Sequence, residues 1–222
     1  MSLELTPPII YLISSGKTTA KTTPNSHEFS DILRLVESAV AANVSLIQIR
    51  EKSLTARVLY ELTSSAAIIT RNSATRLLVN DRFDVALGAG ADGVHLTSRS
   101  MEADVVRLIC GPEFLIGVST HSLSEARIAR DGRADFVLFG PVFETESKRT
   151  YGAPQGLLKL QEVCSSLRGF PVIAIGGIQV DRVADCLRAG AEGFGAISML
   201  SDTQKIPSVV KTIRKIWAAK EN

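Results

Sequence analysis

Asp135-Phe136-Val137-Leu138-Phe139-Gly140-Pro141-Val142-Phe143-Glu144-Thr145-Glu146-Ser147-Lys148 is an apolar strand that runs directly into a polar, glycine-flanked loop ending in a lysine. An α/β barrel presents a cation to an anionic ligand in this way, because its functional loops follow the C-terminal ends of its strands. Ala174-Ile175-Gly176-Gly177-Ile178 closes a further strand with two glycines before a helix, and Gly195-Ala196-Ile197-Ser198 repeats the arrangement near the C-terminus. Three successive strand ends are therefore suited to a phosphate, which backbone amides and helix N-termini hold well.

Outward from this stretch, short β-like runs alternate with longer helical patterns. Strands are expected at Ile9 to Ile13, Ser45 to Arg50, Arg76 to Asn80, Gly93 to Leu96, Phe114 to Val118, Phe136 to Phe139, Val172 to Ile175 and Gly193 to Ile197. Between them, Ile32/Leu35/Val36/Ala39/Val40 and Val58/Leu59/Leu62/Ala66/Ile69 recur at the three-and-four spacing of an amphipathic helix, as do Ile206/Val209/Val210/Ile213/Trp217. Eight such βα units predict an α/β fold of the (β/α)8 TIM-barrel type, in one domain over residues 1–222. Gly88-Ala89-Gly90-Ala91-Asp92 and Arg188-Ala189-Gly190-Ala191-Glu192 each join a helix to a strand, where glycine suits a left-handed C-cap.

The 45% apolar and 22% charged composition is that of an ordinary globular chain. A formal charge of +2 with scattered basic residues excludes a nucleic-acid footprint, so any anion preference must be local. No apolar run reaches membrane-spanning length, and Met1 to Pro8 lacks the pattern of a signal peptide. Cys110, Cys164 and Cys186 are odd in number and lack CxxC spacing, which predicts buried thiols and a cytoplasmic protein. The sequence leaves a homo-oligomer open.

Because barrel strands converge at their C-terminal ends, the residues after them form one list of candidates. Gln48, Arg50 and Lys52 end the second strand, with Gln48 and Arg50 on one face by alternation and Lys52 continuing it if the chain stays extended. They are either a ligand-holding set or part of a solvated cluster with Glu51. Asn80 and Asp81 end the third strand and equally suit function or the cap of a helix starting at Arg82. His95 lies within the apolar fourth strand, and Ser98 to Ser100 follow it. Ser119 and His121 end the fifth; Ser122-Leu123-Ser124-Glu125 reads as a capping box, which frees His121 as a proton carrier. Thr145, Ser147 and Lys148 sit on the loop over residues 141–156, which carries Gly152 and Gly156 and, like the loop over residues 14–28, is expected to form a lid. Gly176, Gly177, Gly195, Ile197 and Ser198 complete the list.

Taken in order, Gln48-Ile49-Arg50-Glu51-Lys52, Val79-Asn80-Asp81, Gly90 to Leu96, Gly117 to Ser122, Gly140 to Thr145 with Lys148, and Ala174 to Ile178 resemble the thiamine phosphate synthase and thiazole tautomerase (ThiE/TenI) family over nearly the whole chain. The resemblance implies a TIM barrel acting on the phosphorylated thiazole half of thiamine. A synthase joins a pyrimidine diphosphate to thiazole phosphate and releases pyrophosphate. That work falls by resemblance to Arg50, Lys52, Asn80 and Lys148, with Gln48 and Thr145 reading the pyrimidine and Mg²⁺ on Asp81 and a second carboxylate. This chain has Ser100 at the second acidic position, which suits a cap for a helix beginning near Met101 and weakens metal binding.

A tautomerase instead needs a phosphate anchor and a proton carrier, with no cofactor. His121 then moves the proton, Arg50, Lys52 and Lys148 hold carboxylate or phosphate, and Ser119, Ser147 and the glycine-lined strand ends bind the substrate. Thr97 to Met101 and Phe139 to Thr145 read closer to the tautomerase branch, which is the first expectation; the synthase is the second. A non-catalytic binder of thiazole phosphate serving regulation is the third.

Overall fold

A computed structural model describes residues 5–144 and 153–221. Thr145, Ser147, Lys148 and Gly152 lie outside the described residues. Within them, each strand is followed by a helix: β1 (Ile9–Ile13), α1 (His27–Ala41), β2 (Leu46–Ile49), α2 (Ala56–Thr70), β3 (Arg76–Asn80), α3 (Phe83–Ala89), β4 (Gly93–Leu96), α4 (Ala103–Cys110), β5 (Leu115–Thr120), α5 (Leu123–Asp131), β6 (Phe136–Phe139), α6 (Gly156–Ser166), β7 (Val172–Ile175), α7 (Val180–Arg188), β8 (Gly193–Ala196) and α8 (Ile206–Glu221). All strand pairs are parallel, and β8 pairs with β1 to close the barrel. The fold is the expected (β/α)8 TIM barrel. One boundary matters for the site: β5 runs on to Thr120, so Ser119 is a strand residue and not part of a loop.

The strands alternate between two cores, as side chains on a pleated strand must. Ile9, Tyr11, Ile13, Leu46, Leu78, Leu115, Phe136, Leu138 and Ile173 fill the barrel interior. Ile10, Leu12, Ile47, Ile49, Val79, Val94, Ile116 and Phe139 face outward and pack with the helices. Burial on both faces is why these strands read as unbroken apolar runs. No described helix is long and apolar enough to cross a membrane.

At the lower end of the barrel α1, α3, α5 and α7 end alike. Val44, Ala91, Ala134 and Ala191 donate their N–H groups to Ala39, Ala86, Ala129 and Cys186, five residues back. This six-to-one bond defines a Schellman turn. It requires a left-handed residue just before, and those are Asn43, Gly90, Arg133 and Gly190, with φ of 56, 74, 65 and 98°. The two glycines were legible as caps; Asn43 and Arg133 carried no glycine signal. Nearby, the buried Arg107 guanidinium donates to the Asp135 carboxylate at 2.7 Å and to the carbonyls of Arg133 and Phe114, tying α4 to the starts of β5 and β6. Burial outweighs that guanidinium and holds the Asp135 carboxyl above its usual range.

A left-handed residue with a Cβ costs about 1 kcal/mol relative to glycine. Arg133→Gly should therefore raise the urea midpoint, by about 0.5–1 kcal/mol of stability, while Arg133→Ala should give no such gain.

Candidate active site at the barrel mouth

Gln48 is buried within β2, and its side-chain amide donates to the Tyr11 hydroxyl at 2.7 Å. Burial keeps that phenol neutral, well above the usual tyrosine range. This pair forms a polar floor in the barrel interior, and the half-buried Arg50 follows one step higher on the same face. Glu51 faces the other way and is buried. Its carboxylate accepts from the Ser14 hydroxyl (2.6 Å), the Gly16 N–H (3.0 Å), the Thr18 N–H (3.2 Å) and the Thr18 hydroxyl (2.7 Å). Glu51 thus belongs to no solvated cluster; it pins the loop after β1 against the end of β2.

Lys52 is not carried by a continued strand. The chain turns there, and the exposed ammonium lies among other charges. Partial burial first, then Arg50 and Arg99, push its pKa down, while Asp81 opposes them. Asp81 sits at φ 66° and donates its N–H to the His95 carbonyl at 2.9 Å, which holds it against the end of β4. The cap of α3 is Arg82, without a side-chain capping bond, so the capping alternative for Asn80 and Asp81 is not the one used. The Asp81 carboxylate makes no hydrogen bond or ion pair among the described residues, and Asn80 lies half-buried beside His95 in register.

Ser100 also departs from expectation, because α4 starts at Ala103 with Glu102 as its cap. The Ser100 hydroxyl instead accepts from the Thr97 N–H at 2.8 Å and meets the Thr97 hydroxyl at 3.1 Å, closing a turn that projects Arg99. Across from it, Ser122 and Glu125 fix the turn as expected, with the return bond one residue earlier than in a capping box: Ser122 accepts from the Glu125 N–H, and the Glu125 carboxylate accepts from the His121 N–H. His121 is exposed and its Nδ1 bonds the Gly140 carbonyl. A carbonyl only accepts, so Nδ1 carries the proton and Nε2 is left for a ligand. Ser119 stands on β5 with its hydroxyl 2.8 Å from His95 Nε2.

The end of β6 crosses over β7. Val142 and Phe143 donate to the carbonyls of Ile175 and Gly176 at 2.8 and 3.0 Å, and the Arg182 guanidinium donates to the Gly177 carbonyl at 3.1 Å. A Cβ on Gly176 would lie 2.5 Å from Pro141, and one on Gly177 would lie 2.4 Å from the Glu144 carbonyl. With φ of 97 and 63° as well, both positions require glycine. These bonds use carbonyls and leave the Gly176 and Gly177 N–H groups out of them. Beyond β8, Ile197 is half-buried and Ser198 opens a 3-10 turn, Ser198–Leu200. Gly195 faces the interior, against Leu138 and Ile13.

In a closed eight-strand barrel, strands four apart stand opposite one another. The cations after β2 to β4 therefore face the glycine-lined ends of β7 and β8, with Ser119 and His121 on the wall between. Tyr11 does not stand among the sequence candidates and Glu51 enters only as part of a charge cluster, while His95 and Arg99 fall among the strand-end residues with no role assigned, although alternation alone places His95 on the inner face with Gly93. A separate cavity of about 350 Å³, lined by Cys164, Arg168 and Arg188, lies between α6 and α7 and shares no residue with this site. No group of three metal-binding side chains occurs among the described residues.

A family model described as "Thiamine monophosphate synthase" matches residues 20–200. The chain is 38% identical over 204 residues to the thiamine-phosphate synthase of Methanoculleus marisnigri, covering 91% of this chain and 94% of that one. It is 37% identical over 184 residues to the thiamine-phosphate synthase of Moorella thermoacetica, covering 83% and 87%. Among solved structures it is similar to the thiamine phosphate pyrophosphorylase of Pyrococcus furiosus, with a TM-score of 0.77, 30% identity, and coverage of 97% and 96%. These names back the synthase reading better than the tautomerase reading that the sequence alone put first. The chain belongs to the thiamine monophosphate synthase family, (β/α)8 enzymes of thiamine biosynthesis.

Proposed function

We propose that the protein is a thiamine-phosphate synthase, a transferase that joins hydroxymethylpyrimidine diphosphate to thiazole phosphate and releases pyrophosphate. The observation that carries this reading is the pair of anion sites facing each other across the mouth. Arg50, Arg99 and Asp81 gather about Lys52 on one side, and the Gly176, Gly177 and Ser198 end lies on the other. A diphosphate and a monophosphate fill both sites; a carboxylate phosphate would also occupy two, and the synthase names of the relatives favour the first pairing. The absence of a disulfide among Cys110, Cys164 and Cys186 suits cytoplasmic work.

In this reading Arg50 and Lys52 hold the diphosphate and stabilise the charge that grows on it as it departs. Gln48, fixed by Tyr11, meets the pyrimidine from below. The amides of Gly176, Gly177, Gly195 and Ile197, with Ser198, hold the thiazole phosphate. Lys148, Thr145 and Ser147 remain assigned to the lid from the sequence. Mg²⁺ fits the donor set: Asp81 offers a carboxylate with no competing partner among the described residues, and Mg²⁺ commonly takes one or two carboxylates with substrate phosphate and water. Bound there, it supplies further charge neutralisation to the leaving diphosphate.

Mixing both substrates with Mg²⁺ should release pyrophosphate, and Arg50→Ala should lower kcat/KM by about 100-fold. The proposal fails if no pyrophosphate appears while the non-aromatic thiazole carboxylate phosphate isomerises in EDTA and His121→Asn abolishes that isomerisation. Binding of thiazole phosphate without turnover would instead mark a regulator.

The charge on Lys52 gives a pH dependence. The ammonium form binds the anion, so that contribution is complete below the Lys52 pKa and is lost as pH rises through it. Because that pKa is lowered, kcat/KM should begin to fall below the range of an ordinary lysine near 10.5, and Lys52→Arg should move the alkaline limb upward. Ser100 gives a third test. An aspartate there can accept from the Thr97 N–H with one oxygen and turn the other to a cation. Ser100→Asp should tighten Mg²⁺ binding in the presence of pyrophosphate by about tenfold, measured by calorimetry.

A further inference from the structure

We infer that His95 is a positioning residue for Ser119: its Nε2–H donates to the Ser119 hydroxyl, whose own proton is thereby turned toward the ligand in the barrel mouth. This deepens the synthase reading and relies on it for the identity of the ligand.

His95 is 2% exposed inside the barrel, with Tyr11 at 5.7 Å and Phe136 at 6.1 Å between ring centroids. Gly117, paired with His95 across β4 and β5, makes room for it: a Cβ there would lie 2.2 Å from the Phe136 ring and 2.9 Å from His95 Nδ1. One nitrogen, Nε2, lies 2.8 Å from the Ser119 hydroxyl; the other, Nδ1, is buried with no partner. An orphaned buried N–H is rarer in proteins than an under-satisfied acceptor. The proton therefore belongs on Nε2, where it has an acceptor, and Nδ1 keeps its lone pair among aromatic rings.

Burial, helped by Arg50 nearby, holds the His95 pKa down to about 3. Nε2 meets the Ser119 hydroxyl and Nδ1 is buried without a partner, so the ring acts through Ser119. A serine hydroxyl has one proton and accepts through its lone pairs. With a lone pair occupied by His95, the Ser119 O–H is free to point up from β5, where the half-buried side chain meets the mouth. It then serves as a fixed donor to an acceptor on the substrate, either a diphosphate oxygen or a ring nitrogen.

Two measurements test this. The imidazole nitrogen shifts of His95 in the wild-type protein at about neutral pH should show protonated Nε2 and bare Nδ1. The opposite tautomer would overturn the inference. The second is a double-mutant cycle on pyrophosphate release with His95→Leu and Ser119→Ala. Each single change should lower kcat by about tenfold, and the double variant should fall no further than the worse single one. Additive losses would mean that His95 merely fills space. His95→Gln, whose amide retains a donor, should recover most of the lost rate. The shifts are read without turnover, so failure of the synthase reading and failure of this inference remain distinguishable.

Discussion

Closure of the barrel is the constraint on which the rest depends. At the seam, Ile9 pairs with Gly193, and a Cβ on that glycine would come within 2.0 Å of the Ile9 carbonyl. Only glycine lets β8 approach β1 closely enough to complete the ring of parallel bonds. Once the ring is closed, inward side chains must fill a narrow interior, and the strand ends must converge on one mouth. Residues far apart in sequence, such as Arg50 and Arg99, then both come near enough to Lys52 to act on its charge.

Convergence of cations is unfavourable unless something fixes them, and the buried Glu51 does much of this. It stands between Arg50 and Lys52 in sequence but points to the opposite face, where four donors from Ser14, Gly16 and Thr18 satisfy its carboxylate. A buried carboxylate without them would be costly. Because they are present, the loop after β1 is drawn over the end of β2, and Arg50 is anchored by its own N–H on Ser14. The positive cluster is therefore built on an acid that faces away from it.

Much of this was legible beforehand, and the exceptions share a cause. Period-two alternation located the strands, and their ends supplied Gln48, Arg50, Asn80, Ser119 and His121 as neighbours. Local capping rules succeeded at Ser122 and Glu125, where both partners lie within one turn. They misplaced Asn80, Asp81 and Ser100, whose bonds run to other segments or close a different turn: Asp81 to the His95 carbonyl, Ser100 back to Thr97. Lys52 was expected to extend a strand that in fact ends at Ile49. The Schellman turn at Arg133 was likewise invisible, because tertiary packing overrode residue preference there, whereas Asn43 is a residue that accepts the left-handed position.

The sequence by itself determined the number and order of the βα units, the faces of their strands and the glycines that bend the last loops, because periodicity and backbone freedom are local properties. Only the tertiary structure decided that His95 touches Ser119, that Glu51 is a clamp and not a surface charge, and that Arg50 and Arg99 both come near Lys52. Those depend on distances between strands that the chain joins through whole helices, and no local pattern encodes such a distance.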